Sequence, residues 1–352
     1  MLCPNLLYFA AQLAVSRKNI KLIFKYVLGP LVFCILTISI YKQIQRQPGW
    51  RESFSHIWMS LKGDGQFKIA LVFLLMFLNW ALEARKWQLS LRTFNRISFA
   101  RSLKAVFTGT TMAFFTPNRV GEYLGRILYI PEGKRLQAVS LTIVCSIAQL
   151  LVTILAGICG LIFMRQHIAQ NVGGSGPVLF WLQLVLYVAF ASGLILGIFY
   201  FRLTWLVKAL EKLTVPGKYL TYIKVLEEFN ATVLLRILSL SLSRYVVFLL
   251  QYYVLFDVFD VRLDWWQSYW MVSVMFVVLA IAPTIAFLTD LGIRAKTSIE
   301  LVQFFSTNVV GTLATSFSIW LINLVIPALI GSLLILGIRI NNYQSRQEIT
   351  GR

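Results

Sequence analysis

Apolar runs separated by short polar or basic intervals dominate the chain from Tyr26 onward. A helix rises 1.5 Å per residue, so about 20 apolar residues cross the roughly 30 Å of bilayer hydrocarbon. On that measure, 26–41, 67–84, 136–164, 178–201, 237–256 and 309–338 are expected to be about six full transmembrane helices. Two further runs are broken. The first, from about Ser102 to Phe115, is too short to span and ends in a polar elbow carrying Pro117, Asn118, Arg119, Gly121, Glu122 and Arg126. The second, from Trp270 to Ala282, breaks at Pro283 and continues through Asp290, Gly292 and Arg294 into a polar helix reaching Thr307. Pro117 removes a backbone donor and disfavours helix before it, and Gly121 is expected to supply the unusual dihedrals of the turn. Both broken runs read as re-entrant hairpins that return to their own side. The alternative for the second is that 268–288 crosses fully, which would move the C-terminus to the other side.

The order of span, broken run and long span occurs twice, over 67–164 and 237–338. Sliding the chain by 171 residues superposes Val120 and Gly121 on Leu291 and Gly292, Leu150 on Leu321, and Gly160 on Gly331. With both hairpins returning, the second unit enters from the opposite face, so the repeats are inverted, a pattern of secondary transporters whose broken helices hold substrate near the midplane. Basic residues concentrate in intervals this topology makes cytoplasmic. From Arg85 to Lys104 there are six basic residues and no acidic one, as cytoplasmic loops tend to show. The fold expected is therefore an all-α polytopic membrane domain over 25–340, with both termini cytoplasmic. It is preceded by an interfacial segment over 1–24, interrupted by an amphipathic cytoplasmic linker over 202–236, and followed by a tail over 341–352.

Composition narrows the function. Hydrophobic residues make up 58% of the 352 and charged residues 13%, and the mean hydropathy of +0.73 excludes a soluble globular protein. Lys and Arg outnumber Asp and Glu, 33 to 14, but they flank apolar runs, which points to headgroups and away from nucleic acid. Four cysteines and two histidines show no ligand or redox spacing, so no metal, cofactor or Cys/His catalysis is expected. What stands out is charge at membrane depth, where each ionised side chain costs roughly 2.5 to 3.5 kcal/mol on insertion scales. Arg119 with Glu122, Arg126, Arg244, and Asp290 with Arg294 are the candidates, because helix ends and guanidinium groups suit a phosphate. Arg244 is read either as lining a cavity or as partner to a carboxylate. Asn79 and Glu83 share a helix face and are read as an interfacial pair with Arg85 or Lys86. The aromatic cluster of Trp265, Trp266, Tyr269 and Trp270 is read as an interfacial belt.

At Thr116 to Glu122 and at Leu291 to Arg294 the chain resembles the transmembrane, flippase-like region of bacterial lysylphosphatidylglycerol synthases and its free-standing relatives. The likeness runs from about Phe67 to Ile338. Pro117, Gly121 and Glu122 match the family's Pro-x-x-x-Gly-Glu elbow. At the second elbow, a family Pro-Gly-Gly-Leu-Gly-x-x-Glu, Leu288, Thr289 and Asp290 replace the Pro-Gly-Gly. Ala295 stands at the acidic position there, with Asp290 or Glu300 as substitutes. The resemblance implies translocation of a membrane lipid, an anionic phospholipid or a polyprenyl-linked headgroup, across a bacterial inner membrane. It does not imply aminoacyl transfer or any other enzyme activity. The substrate-binding set is then Pro117, Asn118, Arg119, Gly121, Glu122, Arg126, Arg244, Asp290, Gly292 and Arg294. A protein partner in envelope-lipid or glycan synthesis and a homo-oligomer are compatible with this. The rivals are a non-transporting partner of a glycosyltransferase or lipid synthase, and a membrane-embedded lipid-modifying enzyme.

Overall fold

The computed structural model describes residues 64–93, 95–171, 176–203, 229–282 and 287–336, with isolated positions elsewhere. The expected span over 26–41, the segment 1–24, most of the linker 202–236 and the tail 341–352 lie outside the described residues. Those described form nine α-helices and no strand. They are α1 (Asp64–Ser90), α2 (Phe99–Phe114), α3 (Gly121–Ile127), α4 (Arg135–Asn171), α5 (Gly176–Phe201), α6 (Ala231–Val258), α7 (Trp265–Ile281), α8 (Phe287–Val302) and α9 (Val309–Trp320). A π-helical turn, Leu321–Val325, continues α9, and the helix runs on to Leu336. Five of these helices are long and apolar enough to cross a membrane.

Helix starts are set by polar caps. Ser98 accepts the Arg101 amide at 3.3 Å, Asn230 accepts Val233 at 2.9 Å, and Asn308 accepts Gly311 at 2.8 Å. Gln267 closes a capping box by accepting the Asp264 amide at 3.0 Å. Such caps satisfy amides that the first helical turn leaves open. They carry α2, α6 and α7 several residues upstream of the apolar runs that announce them.

Both broken runs fold back on themselves. Gly125 of α3 lies against Gly109 of α2 so closely that a Cβ there would sit 2.5 Å from the Gly109 Cα. Thr108 reaches Tyr129 at 3.2 Å, so numbering rises along one helix as it falls along the other. In the second hairpin α7 stops at Ile281, Ala282 is extended, and α8 returns beside α7, with Ser298 Oγ 3.0 Å from Met275 Sδ. Residues 268–288 therefore do not form one continuous helix. Residues 283–286, including Pro283, lie outside the described set.

The first elbow departs from expectation in one respect. The left-handed residues are Asn118 (φ 49°) and Arg119 (φ 59°), while Gly121 begins a helix. Gly121 is required for space, since its Cβ would meet the Met112 carbonyl oxygen at 2.2 Å. Its amide is held by Thr116 Oγ1 at 2.7 Å.

The two units interlock with opposite polarity. Along α1 and α6, Lys68 pairs with Asp257, Gln251 donates to the Val72 carbonyl at 3.0 Å, and Arg244 meets Asn79 at 2.9 Å. The opening helices of the two units thus run antiparallel, as an in-plane pseudo-twofold demands. Each hairpin also packs on the closing helix of the other unit. Gly331 faces the Phe107 carbonyl of α2, and Gly160 of α4 faces the Trp270 carbonyl of α7, where added Cβ atoms would lie at 2.1 and 2.9 Å. These are the two glycines that the self-match of the sequence superposes.

Gly331→Ala is expected to lower the thermal midpoint in detergent, with an overpacking cost of about 1–3 kcal/mol. Gly197→Ala, where a Cβ meets nothing within 4 Å, should leave the midpoint unchanged or raise it slightly. Equal responses at the two positions would contradict the interlock.

Candidate functional site

The site begins on α1, where Asn79 and Trp80 lie four and three residues before Glu83, Lys86 lies three after it, and all four turn inward. Glu83 is 4% exposed, with cations on three sides. Its Oε1 accepts Arg126 Nη2 of α3 at 2.7 Å, and its Oε2 faces Lys86 Nζ at 2.8 Å and Arg244 Nη1 of α6. Arg126 also pairs with Glu122 one turn earlier, and Glu122 Oε2 lies 3.9 Å from Arg119 Nε. Charges therefore alternate from the elbow to the centre of the bundle.

Arg244 hands the network on. Its Nε donates to Asn79 Oδ1 at 2.9 Å, and its Nη1 lies 3.5 Å from Gln149 Oε1 of α4. Asn79 reaches Asn323 in the π-helical turn at 3.4 Å, and Asn323 donates to Gln251 at 3.1 Å. The guanidinium also sits 5.9 Å from the Trp80 ring and 6.0 Å from Phe248, close enough for cation–π attraction. A π-turn is a common device at functional positions, and here it carries Asn323 into the network.

The second hairpin repeats the arrangement of the first. Arg294 of α8 pairs with Asp290 one turn earlier at 3.3 Å and donates to Tyr252 of α6 at 2.9 Å. In each hairpin, an acid and an arginine four apart lie on the return helix, and the arginine reaches the opening helix of its own unit. Glu300 instead pairs with Lys296 at 2.6 Å, and Ala295 is buried beside Ile299 and Val309. Asp290 is thus the acid that the second elbow presents.

One cavity of about 560 Å³ is lined from both hairpins, by Asn118, Arg119 and Glu122 on one side and by Asp290 and Arg294 on the other. Arg244, Glu83, Lys86, Gln149 and Asn323 complete its polar wall, and Phe114, Phe248, Phe276 and Trp320 its apolar wall. Four basic side chains oppose three acidic ones in this lining. The Nε1 of Trp80 and the Nε of Arg294 are buried donors on the lining residues and have no hydrogen-bond partner among the described residues.

Of the expected site residues, Asn118, Arg119, Glu122, Arg244, Asp290 and Arg294 meet at this cavity. Arg126 does not line it. It is 1% exposed, stacked 5.9 Å from Trp87 and held behind the wall by Glu83 and Glu122. Gly121 shapes the turn behind the lining, Pro117 contributes the backbone of a 3₁₀ turn, and Gly292 is buried within α8. Arg244 proves both cavity-lining and carboxylate-paired. Glu83 does pair with Lys86, as its sequence position suggests, but inside the protein and with two further cations. The missed signal was the face shared by Asn79, Glu83 and Lys86, obscured because the apolar run ends near Ala84 while the helix continues to Ser90.

Glu83→Gln is expected to destabilise the protein by about 3–5 kcal/mol, because it leaves buried cations uncompensated. Asp257→Asn, which breaks the exposed pair with Lys68 (side chains 45% and 57% exposed), should cost at most about 1 kcal/mol. Comparable losses in detergent melting curves would contradict the hub assigned to Glu83.

The family described as the lysylphosphatidylglycerol synthase TM region matches residues 50–289. The match takes in Glu83, the first elbow and Arg244. It stops before Arg294, short of the Ile338 boundary that the sequence likeness suggests. No curated protein and no solved structure matches the chain. Since the matched stretch covers more than half of the 352 residues and contains most of the cavity's charged wall, this multi-pass membrane protein belongs to the lysylphosphatidylglycerol synthase TM-region family.

Proposed function

We propose that this protein translocates a lipid with an anionic headgroup between the leaflets of the bacterial inner membrane. The observation that carries the reading is that polar residues of both hairpin elbows line a single cavity. In this reading the hairpins are re-entrant, and the headgroup phosphate docks among Arg119, Arg244 and Arg294. Trp80 Nε1 and Arg294 Nε supply further donors, since both lack partners among the described residues. A cavity of about 560 Å³ falls within the range of about 300–1,000 Å³ usual for small-ligand sites, so a headgroup fits while its acyl chains stay in the bilayer. The one-cation excess favours an anion, and the carboxylates limit the field so that the anion can leave again. Glu122, bridging Arg126 and Arg119, acts as exchangeable counter-charge or proton site.

The test is inter-leaflet movement of fluorescent phosphatidylglycerol in proteoliposomes, read by chemical quenching of the outer leaflet. Arg119→Gln is the cleanest variant, because its side chain is 53% exposed and its contact with Glu122 is long. It and Arg294→Gln are each expected to slow movement about tenfold, the equivalent of losing one charged hydrogen bond. Leu329→Ala, at an exposed apolar position, should leave the rate unchanged. Wild-type protein moving lipid no faster than empty vesicles, while co-purifying with a synthase, would favour the non-transporting partner.

A further inference from the structure

A second concave surface lies on the far side of α4 from the central cavity. Helix α5 is the most outlying of the five long helices, with 17% of its apolar window buried. On one face it carries Gly193 and Gly197, four residues apart. A Cβ at Gly193 would touch Ile154 of α4 at 3.1 Å, and one at Gly197 would meet nothing within 4 Å. The missing side chains leave an apolar groove of about 650 Å³ between α4 and α5, lined also by Leu238 of α6. From Phe190 to Phe201 it follows α5 for about 17 Å at 1.5 Å per residue, against about 15 Å for half of a 30 Å hydrocarbon core.

The groove ends in a cation. Arg202 and Trp205 line its mouth, with the guanidinium 5.6 Å from the indole ring. An acyl-length apolar trough running to a guanidinium held by an indole matches an anionic phospholipid end to end. Basic pockets between membrane helices commonly take anionic headgroups.

We propose that this groove is a binding site for one anionic glycerophospholipid, with an acyl chain laid along Gly193 and Gly197 and its phosphate on Arg202. The site uses Leu151, Leu155 and Ile158 of α4, whereas the central cavity uses Gln149 and Thr153. It is therefore independent of the transport reading and stands if that reading fails.

Native mass spectrometry of the purified full chain, titrated with dioleoylphosphatidylglycerol or dioleoylphosphatidylcholine, tests the proposal. The wild type should retain the anionic lipid about fivefold more tightly, the worth of one basic residue near the membrane surface. Arg202→Gln should abolish that preference at this groove and so lower the number of anionic lipids retained by one, leaving any held in the central cavity. Gly197→Leu, which fills open space and should still fold, should displace both lipids from this site. Arg294→Gln, altered only in the central cavity, should keep the groove's lipid. Undiminished retention in both Arg202→Gln and Gly197→Leu would overturn the assignment. So would loss of a dimer in place of a lipid on Gly197→Leu, which would give the groove to a second copy of the chain.

Discussion

A single carboxylate inside the bundle organises the charged architecture. Glu83 meets Lys86 of its own helix, Arg126 of the first hairpin and Arg244 of the second unit. Isolated charges in a low-dielectric interior are costly, and removing one member of a buried pair exposes that cost. Arg126 and Arg244 therefore each hold their helix at a fixed distance from α1. The result ties a short, broken segment to the middle of the protein, where apolar packing alone would leave it free to slide.

Packing supplies the second constraint. Between helices surrounded by lipid there is no solvent-driven force to bring apolar faces together, so close backbone approach and interhelical hydrogen bonds carry the association. Gly331 and Gly160 place the closing helix of each unit on the hairpin of the other, and Thr111 Oγ1 adds a hydrogen bond to the Ala328 carbonyl at 2.7 Å. With α1 and α6 antiparallel, the interlock makes the cavity a shared product of both units. Arg119 and Glu122 reach it from one hairpin, and Asp290 and Arg294 from the other. The Asn118–Arg119 turn, held in left-handed backbone that costs of order 1 kcal/mol or more for an arginine, is the local consequence at the cavity's edge.

Much of this was legible from residue pattern. Apolar run length gave the long helices, Pro117 marked the first break, and the repeated order of elements pointed to opposed units. Arg119, Glu122, Arg244, Asp290 and Arg294 were identifiable because charge at membrane depth needs a reason, and Asn118 because it sits in the polar elbow after Pro117. Glu83 and Lys86 were not, since they fall where an apolar run gives way to a basic loop and look like its boundary. Only the continuation of α1 to Ser90 shows them to be interior. Arg126 failed in the other direction: spacing placed it at the elbow, but nothing in one helix says that its guanidinium turns behind the wall toward a carboxylate 43 positions earlier. The positive dihedrals at Asn118 and Arg119 were assigned to Gly121, because a glycine needed for close approach and a glycine needed for its backbone look alike in sequence.

The most direct measurement of the central claim is a double-mutant cycle between Glu83 and Arg244, read as unfolding midpoints of Glu83→Gln, Arg244→Gln and the double variant in one detergent. A shared buried charge pair predicts strong non-additivity, with the double variant more stable than the sum of the single losses implies by at least about 1 kcal/mol. Losses that simply add would mean that the two side chains do not meet, and the carboxylate hub joining the two units would be contradicted.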